Sequence, residues 1–445
     1  MAVITSNYTK CRMCALGINT VEMKFRETLT ITKFARGFFY IGCITGALLT
    51  ARPLLNVTVA DYFFGASLLF GLIIFFSKLE KRYPHLPHLL ALGVSAYAIG
   101  SIVSLINSND ISESLGVLVR VVYVTVVWLW LASTVLKTYS HISIAAVLWI
   151  GSVLITSVAA LVQVRWPTAI PGSTPIVGRM TGFTGHPNDL GAICATALSL
   201  VVGLWMTIKR NLLMDFLASS VFFITFSALI LSGSVGSLLA AMVGLGLWAL
   251  QGIRAARKIL LLAVVALIGI GYLVATDNLH IHTSYQRIFV VFEKSDPQGG
   301  TVNTRIQTYK IALNRIFENP LVGVGARQGG SLTSDGWAVH NYLLGAWYEA
   351  GIFGFIGLGI ISLSILRMGY VCVQYARTQR ERYLARGLVF AIISFLIYSL
   401  GAPGLYQRYG WIYAALLFAL RVSQKKEHLS YANRIEGPVG IVDRV

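Results

Sequence analysis

The chain has 445 residues, 56% of them hydrophobic and 12% charged, with a formal net charge of +18. With only 36 Lys and Arg and 18 Asp and Glu, it cannot coat the roughly three soluble domains that this length would otherwise suggest. Many runs of about 20 apolar residues exclude the soluble, fibrous and disordered classes together and predict an all-α polytopic membrane protein, so the charge excess must be tested as topology first.

Residues 1–36 carry Lys10, Arg12, Lys24, Arg26, Lys33 and Arg36 and lack the uninterrupted apolar run of a cleavable signal, so they are expected to be a retained cytoplasmic tail. Twelve transmembrane helices are expected, at 37–51, 58–77, 87–106, 114–136, 142–164, 187–208, 212–231, 234–252, 258–275, 351–371, 387–402 and 409–422. The chain then divides into the tail, nine spans over 37–275, one large outer loop over 276–350, three spans over 351–422 and a cytoplasmic tail over 423–445. With both termini inside, 25 of the 36 Lys and Arg fall on the inner side and ten on the outer, and Arg120 lies within a span. The acids divide eight inside and ten outside, so the outer face is balanced and the excess reports orientation. No nucleic-acid partner is needed to explain it.

Two outer segments, 165–186 and 276–350, are too long to be simple turns, and loops of this length usually carry function. Within the second, Ser295–Gly300 reads as a turn, and Ile306, Tyr309, Leu313, Ile316 and Phe317 recur at helical spacing, which predicts a short amphipathic helix at the outer interface. Cys11-x-x-Cys14 is a lone pair without a second pair or a thioredoxin-like context. Walker A, Rossmann and H-E-x-x-H motifs are missing, which leaves ATP-driven transport and zinc-protease chemistry without support.

Three polar clusters fall on the outer side. The first, Arg179 to Gly191, leads through His186, Pro187, Asn188 and Asp189 into the sixth span. A helix start beside an arginine can hold an anion; the alternative is a capped loop entry with a snorkelling Arg179. The second contains Arg287 and Arg305, residues whose planar guanidinium makes bidentate contacts to phosphate, against the alternative of ordinary headgroup anchoring. The third is His340-Asn341-Tyr342, with Glu349, Gly351 and Gly354 beyond it. Histidine is the residue type suited to proton transfer near neutrality, although a single interfacial histidine is often structural. Arg120 is a charge inside a span, and so a functional candidate that can also snorkel outward.

The order and spacing of R-x-x-G-x-x-G-x-x-N-x-x-G at 179–191, the 305–325 segment, and H-N-x-x-L with E-x-G-x-x-G at 340–354 resemble the O-antigen ligase and polymerase superfamily of bacterial envelope glycan assembly. One departure is Val235 in Ser232-Gly-Ser234-Val235, where the family often carries a basic residue, and Arg120 is a candidate to compensate. The resemblance implies a multi-pass protein of the bacterial inner membrane. It would transfer a polyprenyl-diphosphate-linked glycan to an acceptor sugar hydroxyl on the periplasmic face, with inversion and with neither metal nor cofactor. His340, Arg179 and Arg305 are then the expected catalytic residues, and Arg287, Arg120, Asn188, Asn341 and Glu349 the expected substrate-binding residues. The acceptor would be lipid A core for a ligase, or a second lipid-linked glycan for an O-antigen or exopolysaccharide polymerase. A secondary transporter or lipid flippase is the third reading, and it is disfavoured because ionisable residues gather at span ends and not at the midplane.

Overall fold

A computed structural model describes residues 30–52, 57–77, 85–208, 211–252, 264, 268, 301–326, 339–404 and 407–435, without the side chains of 301–304 and 429–435. The described residues are helical apart from turns and one isolated bridge, as expected where the hydrocarbon core leaves backbone groups no partner but their own helix. The helices are α1 (30–45), α2 (Val59–Phe76), α3 (His88–Asn107, ending in a 3₁₀ turn), α4 (Ile111–Val135), α5 (Tyr139–Arg165), α6 (Pro187–Thr207), α7 (Leu212–Leu231), α8 (Val235–Ala249), α9 (Thr301–Glu318), α10 (Tyr342–Gln374), α11 (Gln379–Ser399) and α12 (Arg408–Ile435).

Eight of these, α2 to α7, α10 and α11, are long and apolar enough to cross a membrane, and α8 is apolar but only 15 residues long. α1 and α12 occupy the positions of the expected first and last spans, while the expected span at 258–275, Arg287, the 295–300 turn and the Cys11–Cys14 pair lie outside the described residues. α4 contains a π-helical turn over Tyr123–Val127, which periodicity alone does not announce.

Polar side chains set the helix starts. Asp110 accepts from the Glu113 N–H at 2.9 Å, Asn211 from the Leu213 N–H at 3.1 Å and Thr378 from the Glu381 N–H at 3.1 Å, each replacing a partner that the first turn lacks. Small residues set the packing. A Cβ added at Gly203 of α6 would lie 2.8 Å from the Gly387 Cα of α11, so these two helices meet backbone to backbone. α6 is the most enclosed of the eight, packed against α5, α7, α8 and α11. Whatever its first turn carries is therefore held at the centre of one end of the bundle.

α10 starts at Tyr342, before the expected span at 351, and breaks at Gly351, whose φ of 67° and ψ of −167° suit glycine alone. A kink there frees the carbonyls of Tyr348 and Glu349, and Val324 N–H and Gly325 N–H donate to them at 3.0 Å each. The same 323–326 segment is stitched to α3 by Asn107, which donates to the Gly323 carbonyl at 3.2 Å, and to α4 by Ser114, which donates to the Ala326 carbonyl at 3.1 Å. The ends of α3, α5, α7 and α11 and the starts of α2, α4, α6, α8, α10 and α12 thus gather at one end of the bundle, together with α9.

Candidate functional site: a polar cluster at one end of the bundle

The 166–186 segment is built around one buried side chain, Gln163 on the last turn of α5. Its Oε1 accepts from the Thr181 N–H at 3.0 Å and the Gly182 N–H at 2.8 Å, and its Nε2 donates to the Ser173 carbonyl at 3.0 Å. Gly182, at φ 53°, has the Thr156 carbonyl oxygen 2.5 Å from where a Cβ would stand, so the loop lies directly on α5. Ile176 and Arg179 exchange both backbone hydrogen bonds at 3.0 Å across a tight turn. That turn holds the exposed Val177 at φ 50°, a conformation disfavoured for a β-branched residue.

This hairpin delivers Arg179 to the junction of α6, α7 and α8, where it is 6% exposed. Its Nε donates to the Ser232 carbonyl at 2.7 Å and its Nη2 to the Asn188 Oδ1 at 2.6 Å. The guanidinium is thus fixed beside the start of α8, next to Val235. Asn188 acts here through Arg179, by orienting it.

His186 is the N-cap of α6: its Nδ1 accepts from the Asn188 N–H at 3.2 Å. Partial burial, with Arg179 and His340 nearby, lowers its proton affinity below that of an ordinary histidine. The same proximity brings the 179–189 cluster and His340 into one electrostatic neighbourhood. Asp189 in the first turn of α6 accepts from the Tyr409 hydroxyl at 3.1 Å, and Arg408 beside it pairs with Asp61 at the start of α2. Tyr398, at the end of α11, lies within electrostatic reach of Asp189, Arg305 and Arg179.

α9 brings the other components. Thr308, Ala312 and Ile316 are buried, and Ala312 and Ile316 form a small core with Val339 and Tyr348, whereas Ile306, Leu313 and Phe317 are exposed. The apolar residues of α9 therefore form two adjacent stripes, and the protein covers only one of them. Arg305 lies on the covered side near Gly401, with its Nη1 3.4 Å from where a Cβ at that glycine would stand, and its buried Nε makes no hydrogen bond. Tyr309, one turn on, donates to the His340 carbonyl at 2.7 Å. Burial, offset in part by Arg305, raises the pKa of that phenol, so it remains a donor at neutral pH.

Arg179, Asn188, Arg305 and His340 therefore share one end of the bundle, and the remaining described candidates have other partners. Asn341 caps α10, accepting from Leu343 N–H and Leu344 N–H at 3.0 Å each. Glu349, two turns deeper, is buried near Tyr97 with its carbonyl held by Gly325. Arg120 is on an exposed face of the first half of α4, the half that packs against α3, while the second half packs against α12. Arg287 lies outside the described residues. Gln163, Tyr398, Tyr409 and the Asp61–Arg408 pair were missed; the sequence signal for the last was a pair of opposite charges at two expected span ends. Among the described residues no three His, Cys, Asp or Glu side chains converge in a way that could hold a metal ion.

Residues 220–359 match the family model described as O-antigen ligase. The match takes in Arg305, His340, Asn341 and Glu349, and it begins after Arg179 and Asn188. No curated protein matches the chain. A chain of the solved structure described as "Structural coordination of polymerization and crosslinking by a peptidoglycan synthase complex" is 15% identical and aligns over 76% of this chain and 97% of its own, with a TM-score of 0.41.

Proposed function

We propose that this chain, whose residues 220–359 belong to the O-antigen ligase family, is an inner-membrane glycan transferase with both termini in the cytoplasm. Its donor is a glycan linked through diphosphate to a polyprenyl lipid, and its acceptor is a sugar hydroxyl on the periplasmic face. The observation that carries this reading is the meeting of two arginines and a histidine from three distant segments at one end of the bundle.

The chemistry follows from what the reaction must balance. The acceptor oxygen attacks the anomeric carbon as the bond from that carbon to the diphosphate oxygen breaks, and the bonding pair leaves with the lipid diphosphate. Negative charge grows on that leaving group in a low-dielectric setting, where fixed guanidinium groups stabilise it more than water would. Arg179 is held rigid by Ser232 and Asn188, and Arg305 has a buried Nε–H available to an incoming phosphate. His340 takes the proton of the attacking hydroxyl. A single displacement inverts the anomeric centre, and the arginines stand where other glycosyltransferases use a metal.

The test is transfer by purified protein from the lipid-linked glycan of its own cells, with no metal added, to lipid A core oligosaccharide or to a second lipid-linked glycan. An inverted linkage formed in EDTA supports the reading, and the preferred acceptor separates ligase from polymerase. Activity lost in EDTA and restored by magnesium or manganese refutes the metal-free chemistry. Glycan flux across vesicles without bond formation refutes the transferase assignment.

A further inference from the structure

The carbonyl of His340 lies just outside α10, because Asn341 is the N-cap and its carbonyl, which accepts from Gly345 N–H at 2.7 Å, starts the helical ladder. The backbone of His340 is therefore not fixed by the helix it precedes. It is held from the side by the Tyr309 hydroxyl, which donates to the His340 carbonyl at 2.7 Å. The carbonyl of Leu400, at the end of α11, lies 3.3 Å from the same hydroxyl. A phenol has one hydrogen to donate, so the shorter contact takes it and the longer one is a competing position.

Tyr309 and Arg305 are four residues apart on α9, on one helical face and about 6 Å apart along the axis. That face is also the one that Ala312 and Ile316 seat on the start of α10 through Val339 and Tyr348. Arg305 reaches toward Gly401, next to Leu400, and its Nε–H is buried without an acceptor. While α9 stays helical, whatever draws Arg305 also moves Tyr309.

We propose that Tyr309 is the positioning residue for His340, and that α9 couples capture of the donor diphosphate by Arg305 to alignment of the base. This rests on the reading of His340 and Arg305 given above. With donor seated, the Tyr309 hydroxyl fixes the His340 backbone and the imidazole faces the acceptor oxygen. The Leu400 carbonyl, 3.3 Å from the same hydroxyl, is the acceptor it would take if α9 shifted away from His340, and the base would then lose its alignment.

The test measures Tyr309→Phe, Arg305→Lys and His340→Ala in detergent or proteoliposomes, with bound polyprenyl diphosphate per chain counting the folded sites. For Tyr309→Phe the expected result is a kcat per folded site lowered about 10- to 100-fold with donor KM unchanged, the scale of a reacting group displaced by about 1 Å. For Arg305→Lys the donor KM rises. A Tyr309→Phe enzyme within about twofold of wild-type kcat per folded site, beside an inactive His340→Ala, overturns the positioning role and leaves the base in place. So does a Tyr309→Phe loss that merely tracks loss of folded sites. Full transfer by His340→Ala removes the base itself, and the positioning role with it.

Discussion

Arg179 reaches the site because Gln163 holds the loop that carries it. Gln163→Leu keeps the volume and leaves the Thr181 and Gly182 N–H groups buried without their acceptor. Each orphaned donor costs about 1–3 kcal/mol, so a lowered unfolding midpoint together with a raised donor KM is expected. His186 gives the pH dependence. Its proton affinity in the folded protein is below the ordinary value of 6.5, so folding favours the neutral ring. The contribution is complete above about 6.5 and is lost as pH falls through the lower folded value. Thermal unfolding of wild type between pH 7.5 and 5 should show that loss. His186→Asn, which keeps a cap acceptor and removes the titration, should flatten this part of the curve. At this scale a motif could single out Arg179, Arg305 and His340 because it names residue types in order. Gln163 and Tyr409 were not, since each works through a partner that only the fold supplies; Tyr409 bonds Asp189 across 220 positions.

Hydropathy locates apolar runs, and it marked only the part of α10 from the kink at Gly351 onward, for a physical reason. Residues 342–350 include Trp347, Tyr348 and Glu349, which weaken a membrane signal without weakening a helix, and the true start is marked by Asn341 as cap. The cap explains Asn341 without any contact to substrate. Asn341→Asp, which keeps the acceptor, should keep stability and transfer, whereas Asn341→Ala should lose about 1 kcal/mol of stability, measured by denaturant unfolding. Unchanged stability in Asn341→Ala would return that side chain to a substrate role. α9 shows the same limit from another side. Its periodicity is plain in the sequence, but which apolar stripe the protein covers depends on where Val339 and Tyr348 come to rest.

At the scale of the whole molecule, alternation of the helices brings five connections and α9 to one end, the end that the charge count predicts to face outward. The all-helical multi-pass class was legible in the sequence because it depends on composition and on the number of long apolar runs. The depth of Glu349 and the exposed face of Arg120 were not, because both depend on which helices pack together. The bundle makes an enzyme only if the histidine gathered at that end moves a proton. The most direct measurement is the transfer rate of purified His340→Ala per bound polyprenyl diphosphate. The predicted result is a loss of about 100-fold or more with diphosphate binding retained. Wild-type transfer by that variant at equal binding would contradict the account.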